Sequence, residues 1–158
     1  MMHSTFLSSV KTADRLVQKW LQGSQNLMIA LNHLCHLRPF YPENQPLVLE
    51  SLQEFCQTMV DYVSLGHFVV YEHIVNVIEL CQPSQTDIPK DLLKQLLQST
   101  AEALDFNDKY QTTPDLKTLD KDLSSLAEHI AQRLEWEGWL LEIYRSAKAW
   151  RYLPAKTA

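Results

Sequence analysis

Apolar residues recur three and four positions apart along almost the whole chain. The positions Leu7, Val10, Asp14, Val17, Leu21, Ser24, Met28, Leu31 and Cys35 keep this spacing, and Trp20, Leu27 and Leu34 widen the stripe on one side. This spacing predicts one long helix over roughly 5–37, bent at Gly23-Ser24 and stopped before Pro39. The segment Arg38-Pro39-Phe40-Tyr41-Pro42-Glu43-Asn44-Gln45-Pro46 reads as a loop on its prolines. A second helix is predicted over about 46–64, its inner side made of Leu49, Leu52, Phe55, Cys56, Met59, Val60 and Val63. Gly66 follows, and a glycine just past a helix end closes it by taking the left-handed conformation. The run Phe68-Val69-Val70-Tyr71 looks strand-like alone, yet Phe68, Tyr71, Ile74, Val75 and Ile78 continue at helical spacing. A shorter helix over 67–81 is therefore expected.

Pro83 and Pro89 bracket a second loop, and a further helix is expected over about 90–110, with Leu92, Leu93, Leu96, Leu97 and Leu104 inward. Thr113-Pro114-Asp115 supplies a capping residue, a first-turn proline and an acid to open the last helix. Its stripe is Leu116, Leu119, Leu123, Leu126, Ile130 and Leu134, continued by Trp139, Leu140, Ile143 and Tyr144, with Gly138 as a local weak point. The tail after Trp150, with Pro154, is expected to be loose. Long helices on short loops pack as bundles. The expected fold is all-α: an antiparallel bundle of four long helices plus one shorter helix, forming a single domain over residues 1–158.

Composition narrows the chemistry. Among 158 residues there are three glycines, Gly23, Gly66 and Gly138, too far apart for a dinucleotide loop, a phosphate cradle or a nucleophile elbow. No apolar run approaches the roughly 20 residues that span a bilayer. The opening Met1-Met2-His3-Ser4-Thr5 lacks a charged start followed by an apolar stretch, and Cys35, Cys56 and Cys81 are an odd, unpaired set. Both features predict a cytoplasmic protein with reduced thiols. The formal net charge of −5 is unevenly placed. Residues 1–38 carry Lys11, Arg15, Lys19 and Arg38 against Asp14 alone, whereas residues 39–89 hold no Lys or Arg and seven carboxylates: Glu43, Glu50, Glu54, Asp61, Glu72, Glu79 and Asp87. Such a stretch attracts basic surfaces and repels nucleic acid, or is simply a solvated face that keeps the protein soluble. Either way, direct nucleic-acid binding is not expected.

Metal and nucleophile motifs are incomplete. His33 and His36 lie one helical turn apart, but two imidazoles do not complete a metal site, and no Glu-x-x-His, His-Glu-x-x-His or Cys-x-x-Cys occurs. Cys56 falls within an apolar stripe, as an inert buried thiol would. No cofactor is expected. A metal- or thiol-dependent enzyme built on His33, His36 or Cys56 is the least supported class. More informative is the segment 54–72, where Asp61, Ser64, His67 and Glu72 cluster around one helix-to-helix junction beside large apolar residues. Such a junction anchors a basic helix of a partner, with apolar contact for affinity and charge for orientation. The alternative is structural, with Ser64 capping, His67 satisfied locally and Asp61 solvated.

The strings Phe55-Cys56-Gln57, Val60-Asp61-Tyr62, Ser64, Gly66-His67-Phe68 and Tyr71-Glu72, with Arg15-Leu16-Val17-Gln18-Lys19-Trp20-Leu21 and Leu27-Met28-Ile29-Ala30, resemble the Rsd/AlgQ family of bacterial anti-sigma regulators. The likeness is close over about 14–80 and lies mainly in helical pattern beyond that. It implies an all-helical, cytoplasmic, non-catalytic protein. The implied partner is the C-terminal, −35-reading domain of the primary sigma factor of RNA polymerase, sequestered in favour of alternative sigma factors in stationary phase. Asp61 matches the aspartate of the family's sigma contact region. Combined with the acidic segment, the expected partner-binding residues are Glu54, Asp61, Ser64, His67, Phe68 and Glu72. Some members also bind a sugar-transport phosphocarrier or an alarmone-metabolising enzyme, so a cytosolic adaptor role is the second expectation.

Overall fold

The computed structural model describes residues 2–84, 87–112 and 115–157, with side chains described for 5–84, 87–112 and 115–150. The described residues are helical nearly throughout and contain no strand. The elements are α1 (Met2–His36), a 3₁₀ turn (Pro42–Asn44), α2 (Gln45–Leu65), a π-turn (Gly66–Val70), α3 (Tyr71–Cys81), α4 (Asp87–Thr112) and α5 (Leu116–Thr157). α1 packs chiefly on α2 and also on α3, α4 packs on α5 and α2, and α5 on α3. One core runs through all five helices, including Trp20, Phe55, Met59, Ile74, Leu96 and Leu123.

Several boundaries differ from expectation for physical reasons. Gly66 does not close α2. Its φ of −61° is ordinary right-handed helix, so residues 45–81 form one helical rod interrupted only by the wider π-turn. Glycine is required there by a close approach instead: a Cβ on Gly66 would stand 2.9 Å from the Tyr71 ring. Pro89 falls inside the first turn of α4 rather than in a loop, a position where the missing N–H costs nothing. The start of α5 is capped by Asp115, whose Oδ1 accepts the Lys117 N–H at 2.9 Å; Thr113 and Pro114 lie outside the described residues. The backbone stays helical to Thr157, past the point where a loose tail is expected.

The buried stripe of α1 lies to one side of the expected one. Trp20, Leu27 and Leu34 are its centre, while Met28 is 36% exposed. On α5, Trp139 is about half exposed and leaves the core to Leu140 and Tyr144. Two polar ties hold α5 to the first part of the chain. Arg38 pairs with Asp120 at 2.9 Å, and Asp14 accepts from the Tyr144 hydroxyl and from Lys148 Nζ at 2.5 and 2.7 Å.

Candidate functional site: an acid-flanked groove between α1 and α2

α1, α2 and the π-turn border a groove of about 1060 Å³. From α1 it is lined by Lys19, Gln22, Gly23, Asn26, Ile29 and Ala30; α2 gives Glu54, Thr58, Asp61 and Tyr62 among others, and the π-turn gives Phe68 and Val69. Four of the six expected binding residues, Glu54, Asp61, Ser64 and Phe68, therefore meet in one groove. Glu54 and Asp61 sit two turns apart on one face of α2, both exposed. Asp61 accepts a hydrogen bond from Gln57 Nε2 at 3.0 Å, which orients its carboxylate without neutralising it. Phe68 is 68% exposed and Ile29 56%, an apolar pair that water wets at a free-energy cost until something covers it. Lys19 is the cation of the lining.

The other two expected residues do not join the groove. His67 turns towards α4, where its Nδ1 lies 3.0 Å from Thr100 Oγ1. Burial, with the Arg133 guanidinium second, holds its pKa below the ordinary imidazole value. Glu72 is exposed on α3 and is absent from the groove lining. The expected junction is thus split: Asp61, Ser64 and Phe68 face the groove, His67 faces α4, and Glu72 stands outside the groove lining.

Beneath the groove is a polar cluster that the residue pattern does not announce. Arg133 and Glu137 on α5 are each 3% exposed, and Arg133 Nε lies 3.7 Å from Glu137 Oε2. Glu137 accepts hydrogen bonds from the hydroxyls of Tyr62 on α2 and Tyr71 on α3. The buried indole N–H of Trp20 belongs to the same cluster. Burial raises the Glu137 pKa, and the Arg133 charge and the two tyrosine hydroxyls oppose that rise, as the Trp20 indole does to a minor degree. Arg133 Nη1 donates to Ser99 Oγ and Thr100 Oγ1 at 2.9 Å each and to the Leu96 carbonyl at 3.3 Å, while Nη2 donates to the Val63 carbonyl at 3.4 Å. Trp20 stacks on Tyr62 with ring centroids 6.2 Å apart and meets Tyr71 edge-on at 5.7 Å. All five helices meet at this point. A signal existed: the spacing Leu126, Ile130, Arg133, Glu137, Leu140, Tyr144 is an uninterrupted helical stripe with two charges in its middle.

The residues considered for other chemistry are placed without a reaction centre around them. His33 and His36 are exposed on α1, and His36 Nδ1 sits 2.6 Å from the Asn32 carbonyl. Among the described residues no group of three or more His, Cys, Asp or Glu is placed to hold a metal ion. Cys56 is buried, which pushes its thiol up to about 11 and leaves little nucleophilic thiolate at neutral pH. No helix among the described residues is long and apolar enough to cross a membrane.

The chain is a transcription regulator of bacterial type, matched over residues 2–144 by the family described as Regulator of RNA polymerase sigma(70) subunit, Rsd/AlgQ. It belongs to the Rsd/AlgQ family. Among relatives, it is 28% identical over 151 residues to the Regulator of sigma D of Escherichia fergusonii, covering 90% of this chain and 92% of that one. It is 25% identical over 144 residues to the protein of the same name from Yersinia enterocolitica, covering 86% of each. A 62-residue match to the Regulator of sigma D of Sodalis glossinidius reaches 44% identity but spans only 43% of that protein and 39% of this chain. No solved structure matches the chain significantly.

Proposed function

We propose that this protein is an anti-sigma factor: it binds the C-terminal, −35-reading domain of the primary sigma factor of RNA polymerase in the groove between α1 and α2 and withholds it from core enzyme and promoter, with most effect in stationary phase. In this reading the helices form an antiparallel bundle and the chain works in the cytoplasm, without catalysis. The observation that carries it is the groove itself. It joins two carboxylates of α2, Glu54 and Asp61, to two exposed apolar side chains, Ile29 of α1 and Phe68 of the π-turn, and the segment 39–89 that supplies its α2 and π-turn side has no Lys or Arg. A domain that docks on DNA phosphates presents Lys and Arg. A competitor for it needs negative charge for steering and orientation, and an apolar anchor for residence time. The groove supplies both, and family membership supports the choice of partner.

The test is a titration of this protein with the cognate primary sigma factor, using a sigma factor truncated before its C-terminal domain as the control. A one-to-one complex is expected only with the intact sigma factor, weakening as ionic strength rises. Asp61→Ala should weaken binding by about thirtyfold or more, the lower end of what losing a charge pair that becomes buried on association costs (about 2 kcal/mol). Its melting temperature should stay near that of the parent, because Asp61 is exposed and makes one hydrogen bond to a neighbouring turn. Equal binding to the truncated sigma factor, or unchanged affinity of Asp61→Ala, refutes the assignment.

A further inference from the structure

The carboxylate of Glu137 reaches two residues that flank the π-turn, Tyr62 before it and Tyr71 after it. These residues are nine positions apart. In an unbroken α-helix nine positions amount to a rotation of about 180°, so the two side chains would leave opposite faces of the rod. The π-turn adds one residue to a turn, which brings the separation to about 80° and lets both long tyrosines converge on one acceptor. Convergence of the two hydroxyls on Glu137 therefore depends on the π-turn. Two further contacts hold the same segment: the Tyr71 ring fills the space where Gly66 would carry a Cβ, 2.9 Å away, and Arg133 Nη2 donates to the Val63 carbonyl just ahead of the turn. The turn in turn sets the groove. Gly66 and Val70 are buried while Phe68 between them stands 68% exposed at the groove rim, and Tyr62 lies in the groove wall next to Asp61.

We infer that Glu137 is a positioning residue for partner binding: acting through Tyr62 and Tyr71 it fixes the π-turn, and so fixes where Asp61 and Phe68 stand for the partner. This rests on the groove being the sigma-binding face. Glu137 itself is buried and touches no partner; its effect passes through the two hydroxyls.

The experiment compares Glu137→Gln and Tyr71→Phe with the parent, each alone and combined with Phe68→Ala, in titrations against the primary sigma factor at a temperature where circular dichroism shows every variant folded. Glu135→Gln, an exposed change on the same helix, is the control. Hydrogen exchange of the amides of residues 61–71 is measured on the free proteins. Expected are a 2- to 30-fold loss of affinity (about the range for residues that act without touching the ligand), carried mainly by faster dissociation, and no change for Glu135→Gln. Phe68→Ala should cost less in the Glu137→Gln background than in the parent, because the ring is already misplaced there. Exchange should quicken in 61–71 and not in α4 beyond Thr100. A merely structural role would lower the melting temperature and leave the two affinity losses additive. Additive losses, or parent-like affinity in both variants with unchanged exchange, overturn the inference. Should Glu137→Gln fail to fold, Tyr71→Phe, which deletes a single hydroxyl, decides the matter by the same criteria. If the parent itself does not bind the sigma factor, the partner assignment falls, and the exchange pattern of 61–71 still decides whether Glu137 positions the turn.

Discussion

Replacing the buried pair of α5 tests how the centre of the molecule is held. Arg133→Met removes the countercharge from a carboxylate that is 3% exposed, and Glu137→Leu leaves a guanidinium that is 3% exposed with only neutral oxygens around it. Removing one member of a buried ion pair costs about 3–5 kcal/mol, because the surviving charge has no compensation. Glu137→Leu additionally orphans the Tyr62 and Tyr71 hydroxyls, at about 1–3 kcal/mol each, so it should be the worse of the two. The double replacement removes both charges at once. Apolar substitution of a whole buried pair is often neutral or stabilising by about 1–4 kcal/mol, and this gain offsets much of the cost of the orphaned hydroxyls. The double variant is therefore expected to be more stable than Glu137→Leu alone, with a coupling of roughly 3 kcal/mol between the two sites. Urea unfolding followed by circular dichroism measures this directly. With a slope of about 2 kcal/mol per molar, a single loss of about 4 kcal/mol moves the midpoint by about 2 M. That is a large part of a total stability of about 5–15 kcal/mol. Losses that simply add in the double variant, or singles costing less than about 1 kcal/mol, would show that the pair is not the coupled unit described.

Two glycines should respond oppositely to alanine. Gly138→Ala meets nothing within 4 Å and should stabilise by about 0.5–1 kcal/mol, a melting rise of a few degrees. Gly66→Ala collides with the buried Tyr71 ring at 2.9 Å and should destabilise by about 1–3 kcal/mol before its gain in helix propensity is counted; calorimetry separates them, and a stabilised Gly66→Ala would contradict the close approach. The lowered pKa of His67 means that the unfolded chain takes up its proton first, so this residue costs stability as pH falls through the ordinary imidazole value of 6.5. His67→Gln should flatten the loss of stability between neutral and mildly acidic pH, and parallel curves for the two proteins would refute the linkage. Cys56, with its thiol near 11, should react with an aromatic disulfide reagent only as fast as the core opens, whereas partly exposed Cys35 reacts at once; equal rates would argue against the buried placement.

Helices and their inner faces were legible because burial imposes a 3.6-residue period wherever one side of a helix is covered. What misled at Gly66 was a local rule applied to a tertiary problem. A glycine after a helix usually closes it, but this one makes room for a ring five residues later, and the ring is held by a carboxylate on another helix. The same cause separated His67 from Asp61. Neighbours in sequence need not be neighbours in space, and the π-turn sends one to α4 and leaves the other at the groove. Arg133 and Glu137 are not legible from the pattern because a charge normally marks the outer face, and apolar spacing alone favours Leu134 and Trp139. Their partners, Tyr62 and Tyr71, sit more than sixty residues away, beyond what periodicity along a chain reports. In the groove, Glu54, Asp61, Ser64 and Phe68 were accessible from the sequence since all four lie on one continuous segment. The α1 side, Lys19 to Ala30, was not, because which face of α1 borders α2 depends on packing.

The segment from 39 to 89 that lacks lysine and arginine also determines how the molecule can be cut. Trypsin-like proteases have no cleavage site within it, and the bond at its leading edge, Arg38-Pro39, is one they hydrolyse poorly. The whole of α2, the π-turn and α3, with the connections at either end, would leave a tryptic digest as a single fragment, however far the rest of the chain had been degraded. The helical rod that carries the acidic groove wall is thus the part of the protein least open to that class of enzyme.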